Sequence, residues 1–264
     1  MKNKNSLGAL VRREYEEPSV IEALIEVYFS QTMNDFSVWS DFNNRIKKKY
    51  PTVEESIIPK AEIQVNQSGE SHQRISPEKL YRFYQKDKSK LVQANKDFIS
   101  VHQLKPYSGY ENFRAEAEKI INDYVSVTEP KMVNRIGMRY INQVMIPETN
   151  VELSRYFKFM PQIPEEVTDG INDVLLQIQF VPRNSNHQIM TSLRSGNSSL
   201  ENQVVFFLDI YDIIQLNNEI EIADILKSLD EAHNNIERVF EGFITDEARK
   251  LFGVVKKNGR KRKL

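Results

Sequence analysis

Arg135 and Arg139, four residues apart, are well suited to bind an anion. They lie in NRIGMRYINQVMIP, residues 134–147, where apolar and polar side chains alternate as in a β-strand. Both arginines and Gly137 then share one face, because successive side chains of a strand point to opposite sides. A guanidinium group matches the oxygens of a carboxylate or a phosphate. The pattern therefore allows a cleft that grips an anionic ligand.

An internal ion-pair arrangement is the alternative role for these arginines. The earlier stretch VIEALIEVYFS predicts a strand over about 19–29, and it carries Glu22 and Glu26 at the same four-residue spacing. If the two strands are antiparallel neighbours, the acids and the arginines can pair across them and set their register. Asn142 lies among the apolar side chains of the opposite face, where we expect a hydrogen-bonded core amide. Both roles for the arginines stay open at this point.

Recognisable catalytic and metal-binding patterns are absent from the sequence. It has no cysteine, which excludes thiolate metal sites and a cysteine nucleophile, and it has no glycine-rich phosphate loop. Asp209 and Asp212, three apart on a predicted strand, face opposite sides. The histidines, which lack zinc-site spacing, are His72, His102, His187 and His233. We therefore expect no metal and no cofactor, assign no catalytic residue, and interpret His233 as a packed core residue of a long helix.

The last nine residues, KKNGRKRKL, carry six positive charges and no acid. Removing these six charges from the total of −1 leaves a formal charge of −7 for residues 1–255. Six cations can release counterions from a phosphate backbone without reading its sequence. The nucleic-acid candidates are Lys256, Lys257, Arg260, Lys261, Arg262 and Lys263. A solubilising terminus is the alternative interpretation of the same residues.

Composition is that of an ordinary soluble protein. Hydrophobic residues make up 40% and charged residues 28% of the 264 positions, which is enough apolar side chain for a core. No apolar run approaches the roughly 18 residues of a membrane-spanning helix. The N-terminal stretch MKNKNSLGALVRREYEEP lacks the apolar centre of a signal peptide. We therefore expect a cytoplasmic protein that does not contact a membrane.

Two halves of the chain repeat the same order of predicted elements, namely a strand, a helix, a three-strand meander and a helix. We place a polar N-terminal arm at 1–17, the first half at 18–130, the second half at 131–253 and a disordered basic tail at 254–264. This order predicts an α+β fold formed by tandem duplication, with antiparallel sheets and with helices packed on one face. The repeat lies in the element order and not in residue identity.

Several local patterns make further structural predictions. Residues 51–78 are polar and predict a long connection, in which only KAEIQV, residues 60–65, is strand-like. Ser108 and Glu111 have the spacing of a helix capping box. A short helix is predicted near 151–159, and Thr245 is expected to cap the helix that follows it.

Three stretches together resemble a sporadically distributed family of uncharacterised bacterial proteins, namely VIEALIEVYFS near the start, RYIN at 139–142 and FEGFITDEARKLFG at 240–253. The resemblance spans nearly the whole chain except the basic tail. It implies a bacterial, patchily inherited gene of a mobile or defence-associated system, and it brings no established activity or substrate. The matching positions are Glu22, Arg139, Tyr140, Asn142, Phe243, Thr245 and Phe252.

The sequence favours a non-enzymatic binding or interaction protein, whose scaffold presents a cleft or sheet to a protein partner or a small anionic ligand. This hypothesis rests on the missing catalytic pattern and on the long polar stretch 51–78. A nucleic-acid accessory factor that uses the basic tail is the second hypothesis. An enzyme acting on an anionic substrate is the third.

Overall fold

The computed structural model describes residues 13–30, 37–65, 71–161, 164, 166, 172–182, 185–198, 200–219 and 221–254. Its strands are β1 (Val20–Ser30), β2 (Thr52–Val65), β3 (Ser71–Tyr84), β4 (Lys90–Asn95), β5 (Phe98–Leu104), β6 (Met132–Ile146), β7 (Leu175–Phe180), β8 (His187–Gly196) and β9 (Val204–Glu219). Its helices are α1 (Ser37–Ile46), α2 (Tyr110–Thr128), α3 (Ile222–Phe243) and α4 (Asp246–Phe252), with a 3₁₀ turn at Leu153–Arg155.

All nine of these strands belong to one sheet, in the order β2-β3-β4-β5-β1-β6-β9-β8-β7. Each strand pairs with its neighbours in antiparallel orientation. β1 and β6 pair directly, so strands from residues 18–130 and from 131–253 share a continuous sheet. The fold is therefore α+β with a large antiparallel sheet.

The core lies where alternate side chains of the central strands meet the helices. In β1, the buried side chains include Ala23, Ile25 and Val27, and in β6 they include Ile136 and Met138. Helix α2 contacts β5, and helix α3 contacts β6 and β9. Removing these apolar surfaces from water drives the packing. The buried face of α2 includes Phe113, Ala117, Ile120, Ile121 and Tyr124.

The strongest periodic patterns of the sequence correspond to regular elements. The strands predicted at 19–29 and within 134–147 are β1 and β6. Thr245 caps α4 as predicted, since its hydroxyl oxygen accepts from the Ala248 backbone N–H at 3.3 Å. Strict alternation and a side-chain cap are local patterns, so the sequence alone carries them.

The prediction of a long connection over residues 51–78 was wrong. These residues form most of the β2–β3 hairpin, in which Thr52 pairs with Tyr84 and Val65 with Ser71. The hairpin ends one side of the sheet, and Val53, Ile57 and other side chains from both faces of β2 are exposed. A strand that is exposed on both faces has no need to alternate apolar and polar residues, so periodicity does not reveal it.

Two further predictions about helices, the Ser108 cap and the helix near 151–159, were also wrong. Ser108 does not cap α2, whose N-cap is Gly109 without a side-chain hydrogen bond. The Ser108 hydroxyl instead donates to Gln103 Oε1 at 3.0 Å. The helix predicted near 151–159 is only the 3₁₀ turn, and Phe157 beyond it forms an isolated β-bridge with Ile244.

A buried polar cluster joins the sheet to α3. His187 on β8 donates from Nδ1 to Asp212 on β9 at 2.6 Å, and both side chains are buried. Asn235 on α3 donates to the other Asp212 oxygen at 2.9 Å, and Glu231 lies 3.4 Å from His187 Nε2. Burial alone would lower the pKa of His187, but the hydrogen bond and charge of Asp212, with those of Glu231, raise it above its ordinary value.

We predict that this cluster makes stability depend on pH. A histidine whose pKa is raised by folding stabilises the folded state fully below its unfolded pKa, about 6.5, and this contribution is lost as pH rises through the folded pKa. The His187→Asn variant keeps a donor toward Asp212 but cannot titrate. We expect urea unfolding of the wild type to show a loss of stability above about pH 6.5 that the variant lacks. Equal pH slopes in the two proteins would contradict the assignment.

Candidate functional site

The two arginines that the sequence singles out lie on one face of the central sheet, and each is bonded to a carboxylate. Arg135 Nη2 donates to Glu26 Oε1 across the β6–β1 pair at 3.0 Å. Arg139 forms a two-pronged hydrogen bond with Asp209 on β9, with Nε to Oδ1 at 2.8 Å and Nη2 to Oδ2. This arrangement favours the ion-pair interpretation of both arginines over anion binding.

Glu22 does not form the ion pair with an arginine that cross-strand pairing predicted. Its Oε1 accepts from His102 Nδ1 on β5 at 2.9 Å, and this hydrogen bond lowers the pKa of Glu22 despite partial burial. Arg139 pairs with Asp209 instead, and the hydrogen bonds that its guanidinium donates to that carboxylate raise the pKa of Arg139. Register alone does not decide between the two acids, because Ile141 aligns with both Glu22 and Asp209 and both are diagonal neighbours of Arg139. Glu22 is bound by His102, whereas Asp209 accepts both hydrogen bonds from Arg139.

Gly137 is the close-packing point of this charged face. An added Cβ would lie 2.8 Å from Glu26 Cγ and 2.8 Å from Tyr211 Cε2. Tyr211 donates its hydroxyl to Glu26, and the Arg135 guanidinium lies 3.9 Å from the centre of the Tyr28 ring. The space beside Gly137 is therefore filled by protein side chains that hold the ion pairs in register.

A cavity of about 280 Å³ lies on the opposite face of β1 and β6. Val20 and Ser19 at the start of β1, Tyr140 and Asn142 on β6, and residues of α2 and α3 line it. The segment before β1, from Arg13 to Pro18, contributes the remaining wall. Asn142 accepts from the Ser19 hydroxyl at 3.0 Å and donates to the Leu208 carbonyl at 3.1 Å, as expected of a hydrogen-bonded core amide.

The loop before α2 carries two tyrosines into the cavity. Gln103 fixes this loop, because its amide N–H donates to the Pro106 carbonyl at 3.0 Å and its Oε1 accepts from Ser108. Gly109 follows with φ of 89°, a conformation that glycine adopts without steric cost. Tyr107 and Tyr110, on either side of this turn, both line the cavity.

Tyr110 and His233 connect α2 to α3 within the cavity wall. Their rings are stacked, with centroids 3.7 Å apart and planes 8° apart. The Tyr110 hydroxyl donates to Asp230 at 2.6 Å, and Arg114 Nε donates to the same oxygen at 2.7 Å. Burial and the Asp230 carboxylate raise the pKa of Tyr110, so its hydroxyl stays protonated at neutral pH.

A chain of hydrogen bonds runs from Tyr107 to Glu237. The Tyr107 and Tyr140 hydroxyl oxygens are 2.7 Å apart, Tyr140 Oη is 3.1 Å from His233 Nδ1, and His233 Nε2 is 3.2 Å from Glu237 Oε1. The Glu237 carboxylate only accepts, so His233 Nε2 donates to it. The Tyr140 hydroxyl bridges His233 Nδ1 and the Tyr107 hydroxyl. Burial raises the pKa of both phenols.

The outer wall of the cavity is held together by Glu241 on α3. Its carboxylate accepts from Tyr15 at 2.6 Å, from Arg13 at 2.8 Å and from Arg249 at 2.9 Å. Backbone bonds add to this link, since Glu16 N–H donates to the Gly253 carbonyl at 2.8 Å. The segment before β1 is thus fastened to α3 and to the end of α4.

The sequence identified part of this cavity and missed the rest. Asn142 was a candidate, and His233 was interpreted as a core residue. The His233 side chain is buried as predicted, and its ring also lines the cavity. Tyr107, Tyr110 and Glu237 were not singled out. The i, i+4 spacing of His233 and Glu237 on the long helix was an available pattern, because such residues face each other. The tyrosines come together only through the tertiary fold.

The remaining candidate residues lie away from this cavity or outside the described residues. The six cations of the tail, from Lys256 to Lys263, lie outside the described residues. Among the described residues, no group of three His, Asp or Glu side chains is placed to hold a metal ion. A second cavity of about 290 Å³ adjoins His187, whose two nitrogens already face Asp212 and Glu231.

Comparisons with known proteins give no family. No family model matches the chain, and no curated protein matches it. One solved structure, S. pombe Pct1 RNA triphosphatase in complex with the Spt5 CTD, has 10% sequence identity and a TM-score of 0.13, over 91% of this chain and 89% of that chain. A likeness at that TM-score carries no information on fold or function. No helix among the described residues is long and apolar enough to cross a membrane.

We predict that Gly137→Ala destabilises the protein by about 1–3 kcal/mol, because the new methyl group meets side chains fixed by the Glu26 ion pair. Gly242→Ala in α3 is the matched control, since its Cβ would have no atom within 4 Å. Alanine there should be neutral or stabilising by up to about 1 kcal/mol. Denaturant unfolding measures both changes. Equal effects of the two substitutions would contradict close packing at Gly137.

We also predict that Tyr140→Phe destabilises the protein by about 1–3 kcal/mol, because it leaves the Tyr107 hydroxyl and His233 Nδ1 without their partner inside the fold. Tyr84→Phe is the control, since Tyr84 is only partly buried at the end of β3. The control should change stability by less than about 0.5 kcal/mol. A neutral Tyr140→Phe substitution would rule out the hydrogen-bond chain.

Proposed function

We propose that this protein is a non-enzymatic binding protein whose ligand is a small molecule held in the cavity beside β1 and β6. One observation carries the proposal. The cavity of about 280 Å³ combines aromatic rings with several polar groups that converge on it, including Tyr107, Asn142 and Glu237. Apolar walls with few, fixed polar groups are typical of ligand sites, and a volume near the low end of about 300–1,000 Å³ fits a small ligand.

The state of the polar groups supports binding over catalysis. The phenols of Tyr107, Tyr110 and Tyr140 have raised pKa values, so they are neutral and weakly nucleophilic at physiological pH. Both nitrogens of His233 are engaged, one with Tyr140 and the other with Glu237. A general base needs a free lone pair directed at its substrate. Groups that are held in this way position a ligand. We therefore favour a binding protein over an enzyme acting on an anionic substrate.

We infer that the two halves of the fold arose by tandem duplication, with their helices packed on one face of the sheet. The strand order supports this proposal, because β5-β4-β3 follows β1 on one side as β9-β8-β7 follows β6 on the other. Helices α2 and α3 then occupy equivalent places after their meanders. The cavity lies between elements of both halves, which is a common position for a ligand site.

The origin and location of the protein, a protein partner and a role for the basic tail stay predictions. The family resemblance supports a bacterial protein of a mobile or defence-associated system, and the absence of cysteine supports a cytoplasmic location. A protein partner is compatible with a small-molecule site, since ligand binding can change an adjacent surface. A nucleic-acid role for the basic tail rests on its six cations, from Lys256 to Lys263.

Retention of a small molecule tests the proposal. The full chain is incubated with a bacterial metabolite extract and purified again, and bound compounds are released by denaturation and identified by mass spectrometry. Val20→Phe is the test variant, because Val20 lines the cavity and the larger ring occupies part of it. Val53→Phe is the control, since it makes the same chemical change on β2 at a side chain that is 42% exposed.

We expect the wild type and Val53→Phe to retain the same compound, and Val20→Phe to retain at least about tenfold less, which corresponds to about 1.4 kcal/mol. Circular dichroism and unfolding curves confirm that each variant is folded. If no compound is enriched, or if Val20→Phe retains as much as Val53→Phe, the cavity is not a binding site.

A further inference from the structure

We propose that the cavity binds a neutral aromatic compound that carries a carbonyl group, such as an aryl ketone or an aromatic amide. This inference rests on the proposed function and names the chemical class of its ligand. It differs from the anionic ligand that Arg135 and Arg139 indicated in the sequence, because those arginines lie on the other face of the sheet and are bonded to acids.

At the outer wall of the cavity, opposite charges are bonded to each other. The Glu241 carboxylate accepts from Arg13 at 2.8 Å and from Tyr15 at 2.6 Å. The same carboxylate accepts from Arg249, on α4, at 2.9 Å. An anionic ligand would therefore have to compete with Glu241 for Arg13, and a cationic ligand would have to compete with two guanidinium groups for Glu241.

The other two acids of the wall also have partners. Glu237 lies 3.2 Å from His233 Nε2 and has a further interaction within the protein. Glu14 also interacts within the protein, and it is exposed to solvent. A charged ligand would thus lose its hydration without meeting an unpaired charge of opposite sign, and this loss is costly. A neutral ligand avoids that cost.

The aromatic side chains of the wall favour a ligand with a ring. Tyr15, Tyr107, Tyr110 and Phe240 contribute rings to the cavity, and Tyr15 meets Phe240 edge to face with centroids 6.2 Å apart. Aromatic rings prefer edge-to-face and offset-stacked contacts, which such a wall can offer to a ligand ring. Since an apolar cavity of about 150 Å³ holds benzene, one of about 280 Å³ accommodates a ring with a polar substituent.

Asn142 supplies a hydrogen-bond donor for that substituent. This residue lines the cavity and is only 3% exposed. Its Oδ1 accepts from the Ser19 hydroxyl at 3.0 Å and its Nδ2 donates to the Leu208 carbonyl at 3.1 Å, and its side chain has no other hydrogen-bond partner among the described residues. A primary amide has two N–H donors, so one remains, and a buried donor requires an acceptor. A ligand carbonyl accepts such a bond without bringing a charge.

A matched series of three probes tests the charge of the ligand. Benzamide, benzamidine and benzoate share a ring and a planar substituent, and they carry charges of 0, +1 and −1. Each is titrated into the full-length wild type by isothermal calorimetry at pH 7.5. We expect benzamide to bind at least about tenfold more tightly than either ion, which corresponds to about 1.4 kcal/mol.

Acetophenone and ethylbenzene test the carbonyl group, because they differ only in the replacement of C=O by CH₂. We expect the wild type to bind acetophenone at least about threefold more tightly, as one hydrogen bond provides. Acetophenone should also shift the side-chain amide resonances of Asn142 in nitrogen-15 NMR spectra. Equal binding of the two probes, or Asn142 resonances that acetophenone leaves unchanged, would overturn the carbonyl contact.

Asn142→Asp tests the donor itself. The variant keeps the shape and the acceptor of the side chain but removes both amide N–H groups, so we expect acetophenone to lose its advantage over ethylbenzene. Asn134→Asp is the matched control, since it makes the same change on β6 at a residue that does not line the cavity. The control should bind both probes as the wild type does. The wild-type titrations and spectra are decisive should Asn142→Asp fail to fold.

The possible outcomes separate this inference from the proposed function. If benzamidine or benzoate binds as tightly as benzamide, and Val20→Phe weakens all three, the cavity is a ligand site but the neutral-ligand inference is wrong. If neither benzamide nor acetophenone binds at millimolar concentration, the inference is overturned even where the retention experiment succeeds. Failure of the probes and of the retention experiment together overturns the proposed function as well.

Discussion

The antiparallel pairing of β1 with β6 is the interaction on which the rest of the structure depends. It joins nine strands into one sheet and gives the central strands two different faces. On one face, charged side chains such as Arg135 and Glu26 are paired in register around Gly137. On the other, Tyr140 and Asn142 face the helices beside a cavity. One pairing register thus fixes both the ion pairs and the position of the site.

Buried polar groups in such a junction must find partners, and this requirement shapes the cavity wall. Tyr140, with only 6% of its surface exposed, needs a donor and an acceptor within the fold. Tyr107 and His233 supply them from the loop before α2 and from α3. The same side chains that connect the elements therefore determine which atoms a ligand meets. A connected polar network of this kind also limits the rearrangements that the wall can make.

Alternating apolar and polar residues predicted β1 and β6, because each strand buries one face more deeply than the other. Periodicity failed for β2 and the start of β3, where Ile57 is 70% and Ile75 is 67% exposed, so that no buried face imposes a pattern there. The partner of Arg139 was beyond prediction for another reason. Choosing Asp209 over Glu22 required knowing that β9 lies beside β6. Likewise, Tyr107 and His233 are distant in sequence and meet only in the tertiary fold.

The central claim is that the cavity is a ligand site, and nitrogen-15 NMR of the His233 ring in the full chain tests it most directly. We expect both ring-nitrogen resonances of His233 to shift when the compound that the full chain retains is added. The His187 ring, which is held by Asp212 outside this cavity, should not respond. His233 resonances that this compound leaves unchanged would contradict the claim.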